Sequence, residues 1–334
     1  MNDPVAAVPE LRHHRRAVPP NFTAIEAAGL GLDRAALLAA MDPFIACRLA
    51  PTDPRWTAEV VRKHAKARRR LRRRRWLGWL GRGKRRGQDR IESEYDQAWA
   101  RKRLAPYEME PRPRAGAAWQ YGDAAMFATS AAGARARLLV LMRAVALLRP
   151  ASVLEVGCGN GLNLLTLACR FPATRFAGVE LTDGGFATAR AVQEEAELPA
   201  VLRRFAPEPL ADPSAHRRVD FRRGSAAELP FADAAFDLVY SSLALEQMEE
   251  IRDRALGEMS RVAGRHTLML EPFWDCNDRG LRRDYLLARD HFRGRIDELP
   301  RHGLEPTLVT DDLPGEIWLQ PCLVVCRKRA AVSW

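Results

Sequence analysis

From Ala131 onward, short apolar runs alternate with stretches whose apolar positions recur every three or four residues. The alternation predicts a helix to Leu148, a strand at 152–156 and a helix at 163–170. A strand at 175–181, a helix at 185–197 and strands at 219–223 and 236–241 follow, then a helix at 249–262 and a strand at 266–271. Strands separated by helical lengths pair in parallel through right-handed crossovers. This part is therefore expected to be α/β, a doubly wound and mostly parallel sheet. The C-terminal stretch differs: after a helix predicted at 278–292, β-rich runs at 305–309 and 317–327 are separated by only a Pro/Gly turn, so they are expected to form an antiparallel hairpin. Upstream the pattern is weaker. Asp33 can cap an Ala/Leu-rich helix reaching Cys47, a second helix is predicted at about 90–104, and PRPRAG at 111–116 reads as a linker. The division expected is a mainly helical, partly disordered N-terminal extension, 1–116, and a second domain, 117–334.

Composition narrows the class. With 334 residues and 47% apolar side chains the chain can bury a core. Its best apolar run, Leu138 to Leu148, is interrupted by Arg143 and is too short to span a membrane. The opening MNDPVAAVPELRHHRR lacks the apolar stretch of a secretory signal, so a cytoplasmic location is expected. Six dispersed cysteines without a CxxC pair suggest neither a disulfide framework nor a metal site.

The formal charge of +11 is local. Fourteen of the 53 lysines and arginines fall between Arg62 and Arg86 with no acid among them, so the 42 acids outnumber the bases elsewhere. A solvated, disordered arm would show the same composition. Trp76, Leu77, Trp79 and Leu80 cluster within this stretch, which suits a membrane surface at the inner face, whereas nucleic acid would use the arginines for phosphates and the tryptophans for stacking. Membrane contact is favoured over nucleic acid because the aromatics sit with leucine rather than being interleaved through the arginines.

The most informative stretch is ASVLEVGCGNGLNLLTLA, 151–168. A buried strand ends in a turn where Gly157, Gly159 and Gly161 permit close approach of a ligand, and the following helix offers unpaired N–H groups. A nicotinamide or flavin fingerprint needs glycine where Leu162 stands. VLEVGCGNG, the acid Glu180 closing FAGVEL, GSAAELPF at 224–231 and FDLVYSSLALEQM at 236–248 occur in an order that resembles the class I S-adenosylmethionine-dependent methyltransferases, in particular their small-molecule branch. The resemblance covers about 131–329 and implies a Rossmann-like methyltransferase fold with S-adenosylmethionine as cofactor. It implies that Glu155, Gly157, Cys158, Gly159, Asn160 and Gly161 surround the methionine portion, with Glu155 favouring its ammonium. Glu180 is expected to take the ribose hydroxyls, Leu181, Ser225 and Ala226 to form the adenine pocket, and Ser241 and Ser242 to pass the methyl group. Serine at 225 replaces an aspartate common among related sequences and is a weaker acceptor for the adenine amino group.

Methyl transfer from a sulfonium is an in-line displacement in which orientation supplies much of the acceleration, so a base is optional. Glu246, Glu271 and Asp275 follow strands toward the ligand edge and are weak catalytic candidates beside Trp274 and Asn277. His266 begins its strand at the wrong end. His291 and Tyr121 are weaker still, and Cys158 is assigned no chemistry. The sequence after the fourth strand, Ser241-Ser242-Leu243, is not the Asn/Asp-Pro-Pro-aromatic pattern associated with planar amines. The region of Trp119, Tyr121 and Phe127 and the insert 207–218 are candidate covers for the acceptor. The leading expectation is methylation of a small-molecule, sugar or lipid-linked acceptor at oxygen or nitrogen. The alternatives are an RNA or protein methyltransferase that holds its partner with the basic arm, and a non-catalytic module that keeps the fold.

Overall fold

The computed structural model describes residues 22–50, 52–79, 93, 96 and 104–329. Asp33 caps helix α1 (Arg34–Met41), its carboxylate accepting from the Ala36 amide at 2.7 Å. The helix stops short of the expected Cys47. Pro43 has no amide hydrogen to continue it, and Cys47 lies in strand β1 (Ile45–Leu49). Helix α2 (Pro54–Trp79) follows. The helix expected at 90–104 and the end of the basic segment, 80–86, lie largely outside the described residues.

Strands β2 (Ala117–Tyr121) and β3 (Ala124–Ala128) form a hairpin in which Gly122 supplies a φ of 55°. β1 pairs antiparallel with β3, so chain on both sides of residue 116 shares one sheet. Helix α3 (Ser130–Leu148) ends at Arg149, whose φ of 47° and following Pro150 stop it. Then come β4 (Ser152–Val156), α4 (Leu162–Arg170), β5 (Arg175–Glu180), α5 (Asp183–Gln193), α6 (Ala200–Phe205), β6 (Asp220–Arg223) and β7 (Phe236–Ser242). The chain continues through α7 (Arg252–Val262), β8 (Ala263–Glu271), α8 (Trp274–Asn277), α9 (Gly280–Arg289), β9 (Leu304–Thr310), β10 (Gly315–Glu316) and β11 (Cys322–Lys328).

The main sheet runs β6-β5-β4-β7-β8-β11-β9. Its first five strands are parallel and β11 pairs antiparallel with β9, as the spacing predicts; β11 also pairs antiparallel with β8, which joins the hairpin to the sheet. β4 is buried on both faces, as a central parallel strand must be. Its alternate residues serve different cores: Val153 packs with Leu138 and Leu164, while Leu154 and Val156 pack with Val179 and Leu256. The second β run begins only at Cys322. The preceding Gly315 and Glu316 leave the hairpin and pair with β2, completing a sheet ordered β1-β3-β2-β10. One face of this second sheet packs against α1 and α3 through Trp119 and Met126. Its other face, at Ala118 and Ala125, meets Trp56 of α2, Leu286 of α9 and Trp318.

Candidate active site

At the carboxyl ends of β4, β5 and β7 the structure encloses a cavity of about 340 Å³. Ligands of open α/β sheets collect at this edge. Gly157, Gly159 and Gly161 have φ of 72°, 54° and 74°, so the turn between β4 and α4 uses the left-handed region three times. The Gly157 and Cys158 amides both donate to the Val179 carbonyl, at 2.8 and 3.0 Å, which ties the turn to β5. A Cβ on Gly157 would stand 2.6 Å from that of Ala244 across the cavity wall. Gly161 points elsewhere: its Cβ would meet the Phe221 ring at 2.8 Å, so it is a packing glycine and does not line the cavity.

Glu155, 1% exposed, turns from β4 into the cavity. One carboxylate oxygen accepts from Asn163 Nδ2 at 2.8 Å, and the other is buried without a hydrogen-bond partner. Burial pushes its pKa up to about 8, partly opposed by the Asn163 bond and by the neighbouring Tyr240 hydroxyl. Arg137 of α3 lines the same cavity and, among the described residues, donates no hydrogen bond and forms no ion pair. Burial lowers its pKa, and the carboxylates of Glu316 and Glu246 only partly offset this. An unpaired carboxylate oxygen and an unpaired guanidinium in one cavity are complementary to an amino-acid zwitterion, ammonium toward Glu155 and carboxylate toward Arg137. The methionine portion of S-adenosylmethionine is such a zwitterion.

Glu180 closes β5 at the other end. Its Oε2 accepts from the Gly159 amide at 2.8 Å, and its Oε1 accepts from the Thr182 amide at 2.9 Å and the Thr182 hydroxyl at 2.6 Å. Leu181 and Ala226 line the cavity beside it, together with Gly224. Ser225 does not: its hydroxyl turns back to accept from the Ala227 amide at 3.2 Å. Cys158 and Asn160 are lining residues, the latter donating to the Tyr107 hydroxyl at 3.1 Å. Ser242 lines the cavity, whereas Ser241 is fully buried behind it. Leu243 follows in the left-handed region, φ 52°, a conformation that a branched side chain adopts only under constraint.

The candidate bases are drawn into the scaffold instead. Glu271 is fully buried at the end of β8 and accepts from the amides of Ala244, Leu245 and Glu246 at 3.0, 3.2 and 3.3 Å, so it shapes the loop leaving β7. Burial and the neighbouring Glu246 raise its pKa to about 8. Glu246 accepts from Gln247 Nε2 at 2.7 Å and thereby orients Gln247, which does line the cavity. Asp275 accepts from the Ile296 amide at 3.0 Å and pairs with Arg295, away from the cavity. Asn277 is buried, bonded to Phe273 and Gln320, and Trp274 packs against the second sheet. His266 lies toward the amino end of β8, opposite Arg327. His291 packs on the Tyr285 ring, and the Tyr121 hydroxyl donates to the Asp312 carbonyl. The insert 207–218 is held at the far end of α4, where the Ala211 and Asp212 amides donate to the Cys169 carbonyl, so it does not cover this cavity.

Tyr107, Arg137, Asn163, Gln247 and Met248 line the cavity without having been singled out in the sequence. Arg137 is one of three arginines on this helix, with Arg135 and Arg143, and nothing in the sequence sets it apart from them. A Cβ on Gly133 would meet the Trp119 ring at 2.2 Å, and that glycine also leaves room for the guanidinium.

Residues 154–267 match the family model described as a methyltransferase domain. A comparison with curated proteins found no match. Among solved structures, magnesium protoporphyrin IX methyltransferase from Synechocystis PCC 6803 with bound S-adenosylhomocysteine is 12% identical over 59% of this chain and 84% of that one, with a TM-score of 0.42. A methyltransferase from Bacillus halodurans is 17% identical over 58% and 99%, with a TM-score of 0.41. The [4+2]-cyclase SpnF is 18% identical over 72% and 96%, with a TM-score of 0.44. The chain carries a class I S-adenosylmethionine-dependent methyltransferase domain. It is an enzyme whose methyl donor is S-adenosylmethionine.

Proposed function

We propose that the enzyme methylates an oxygen or nitrogen of a small-molecule, sugar or lipid-linked acceptor. The observation that carries this reading is the lining of the cavity. Tyr107, Arg137 and the adjacent pair Gln247 and Met248 wall it from three different segments, which suits a compact acceptor better than the surface of a folded polymer.

The cofactor, when bound, supplies a methyl group on a sulfonium, a leaving group that needs no protonation. Glu155 and Arg137 would fix its amino-acid end and Glu180 its ribose, leaving the methyl toward Ser242, Leu243 and Gln247. The glycine turn excludes side chains from this path. Glu155 and Glu180 are both committed to the cofactor, so the chain's contribution is orientation and exclusion of water rather than proton abstraction by a dedicated carboxylate.

Tritiated methyl transfer into fractionated cell extract tests the reading. Label is expected in the small-molecule or lipid fraction. Label confined to RNA or protein supports the alternative in which the basic arm holds a polymer, and no label in any fraction supports a non-catalytic module.

A further inference from the structure

Helix α2 has two faces with different fates. Along one, positions spaced by three and four residues bind it to the body of the protein. Trp56 and Ala67 are buried, the Lys63 ammonium sits 3.8 Å over the Trp318 ring, and His64 Nε2 is 3.2 Å from Asp284. Arg74 pairs with Asp290 at 2.6 Å and donates to the Leu287 carbonyl at 3.0 Å. Helix α9 and its end thus hold α2 from His64 to Arg74.

The opposite face carries Arg69, Arg72, Trp76 and Trp79 at successive steps of three or four residues, flanked by Arg73 and Arg75. All are exposed, and among the described residues Arg69, Arg72, Arg73 and Arg75 form no ion pair. Trp76 is 60% exposed and Trp79 81%, the two largest exposures among the large apolar side chains at the described surface. A band of unneutralised guanidinium groups therefore leads into an aromatic tip on a helix fixed by its other face.

We infer that this face docks the enzyme on an anionic lipid surface. Guanidinium groups bind headgroup phosphates in paired hydrogen bonds, and indole rings partition to the interfacial layer, where one edge is apolar and the N–H stays wet. The grouping of the tryptophans favours lipid over nucleic acid. Stacking platforms interleave aromatics with the cations that follow a strand, whereas here both rings lie within one turn beyond the arginine band. No described helix is long and apolar enough to cross a membrane, so the contact is a surface one made by this face. The inference does not depend on the acceptor.

The test uses the full chain, vesicles of equal parts phosphatidylglycerol and phosphatidylcholine, vesicles of phosphatidylcholine alone, and a single-stranded RNA oligonucleotide. Wild type is expected to bind the anionic vesicles and not the neutral ones. Trp76→Ser with Trp79→Ser should weaken vesicle binding about tenfold or more. Replacing Arg69, Arg72, Arg73 and Arg75 together by Gln should weaken it by about two orders of magnitude or more. Calorimetric binding of S-adenosylhomocysteine, unchanged in both variants, shows that they are folded. The inference is overturned if wild type ignores anionic vesicles at low salt, if the tryptophan variant binds them as wild type does, or if RNA binds more tightly than the vesicles.

Discussion

The Glu180 carboxylate accepts a hydrogen bond from the Gly159 amide at 2.8 Å, so the acid that ends β5 and the turn that follows β4 are one unit. With the Thr182 amide and hydroxyl on its other oxygen, three of about four acceptor sites are occupied before a ligand arrives. A ribose hydroxyl can take the remaining site, and a second requires the Thr182 hydroxyl to turn away. Glu180→Ala is expected to weaken S-adenosylhomocysteine binding by about 1.5 to 3 kcal/mol, through lost charged hydrogen bonds and a loosened turn. An unchanged dissociation constant in calorimetry would place the ribose elsewhere.

Two glycine substitutions should behave oppositely. Gly157→Ala puts a Cβ 2.6 Å from Ala244 at a φ of 72°, so it should abolish detectable cofactor binding and destabilise the fold by about 1 to 3 kcal/mol. Gly257→Ala lies within α7, where a Cβ meets nothing within 4 Å, and should stabilise the protein by about 0.5 to 1 kcal/mol with unaltered binding. Urea titrations and calorimetry on the pair read both effects. Equal outcomes for the two would contradict the placement of the turn.

Arg137 separates binding from folding. A buried guanidinium that forms no hydrogen bond or ion pair among the described residues costs stability, so Arg137→Met should leave the melting temperature of the ligand-free protein unchanged or higher. Its affinity for S-adenosylhomocysteine should fall about tenfold or more, because the carboxylate of the methionine portion loses its counter-charge. Retained affinity would remove Arg137 from the zwitterion site.

Stability should fall on the alkaline side. Burial raises Glu155 and Glu271 from an ordinary 4.5 to about 8, and Glu316 to about 7. Between the ordinary and raised values the folded state holds protons that the unfolded chain has released, so stability present below pH 4.5 is lost as pH rises toward 8. Melting temperatures of the ligand-free protein measured from pH 5 to 8.5 should decline, and Glu271→Gln, which cannot titrate, should show a shallower decline from a lower starting point. A melting temperature that climbs across this range would contradict the assigned burial.

The main sheet was readable because its strands are apolar runs bounded by glycine and helical periodicity, and strand 152–156 was placed to the residue. The second sheet was not, because alanine fills AAWQYGDAAMFA and hides the alternation, leaving only the Gly122-Asp123 turn as a hairpin signal. β10 is two residues long, and its pairing with β2 joins segments nearly two hundred positions apart, which periodicity does not register. Near the cavity, the positions of Glu155 in β4, of the turn that follows it and of Glu180 at the end of β5 were legible because strand ends and glycine conformation fix them. Ser225 and Ser241 were misplaced relative to the cavity because a side chain's direction in a loop depends on which hydrogen bond it makes locally. Glu271 read as a candidate base at a strand end, but the three amides it accepts from belong to another strand's loop and become visible only in three dimensions.

The most direct test of the account is a calorimetric titration of the full chain with S-adenosylhomocysteine, NAD and FAD in parallel. The cavity predicts one S-adenosylhomocysteine bound per chain, weakened by Glu180→Ala and Arg137→Met, with no comparable heat from NAD or FAD. Binding of either dinucleotide in preference, or S-adenosylhomocysteine binding indifferent to both substitutions, would contradict it.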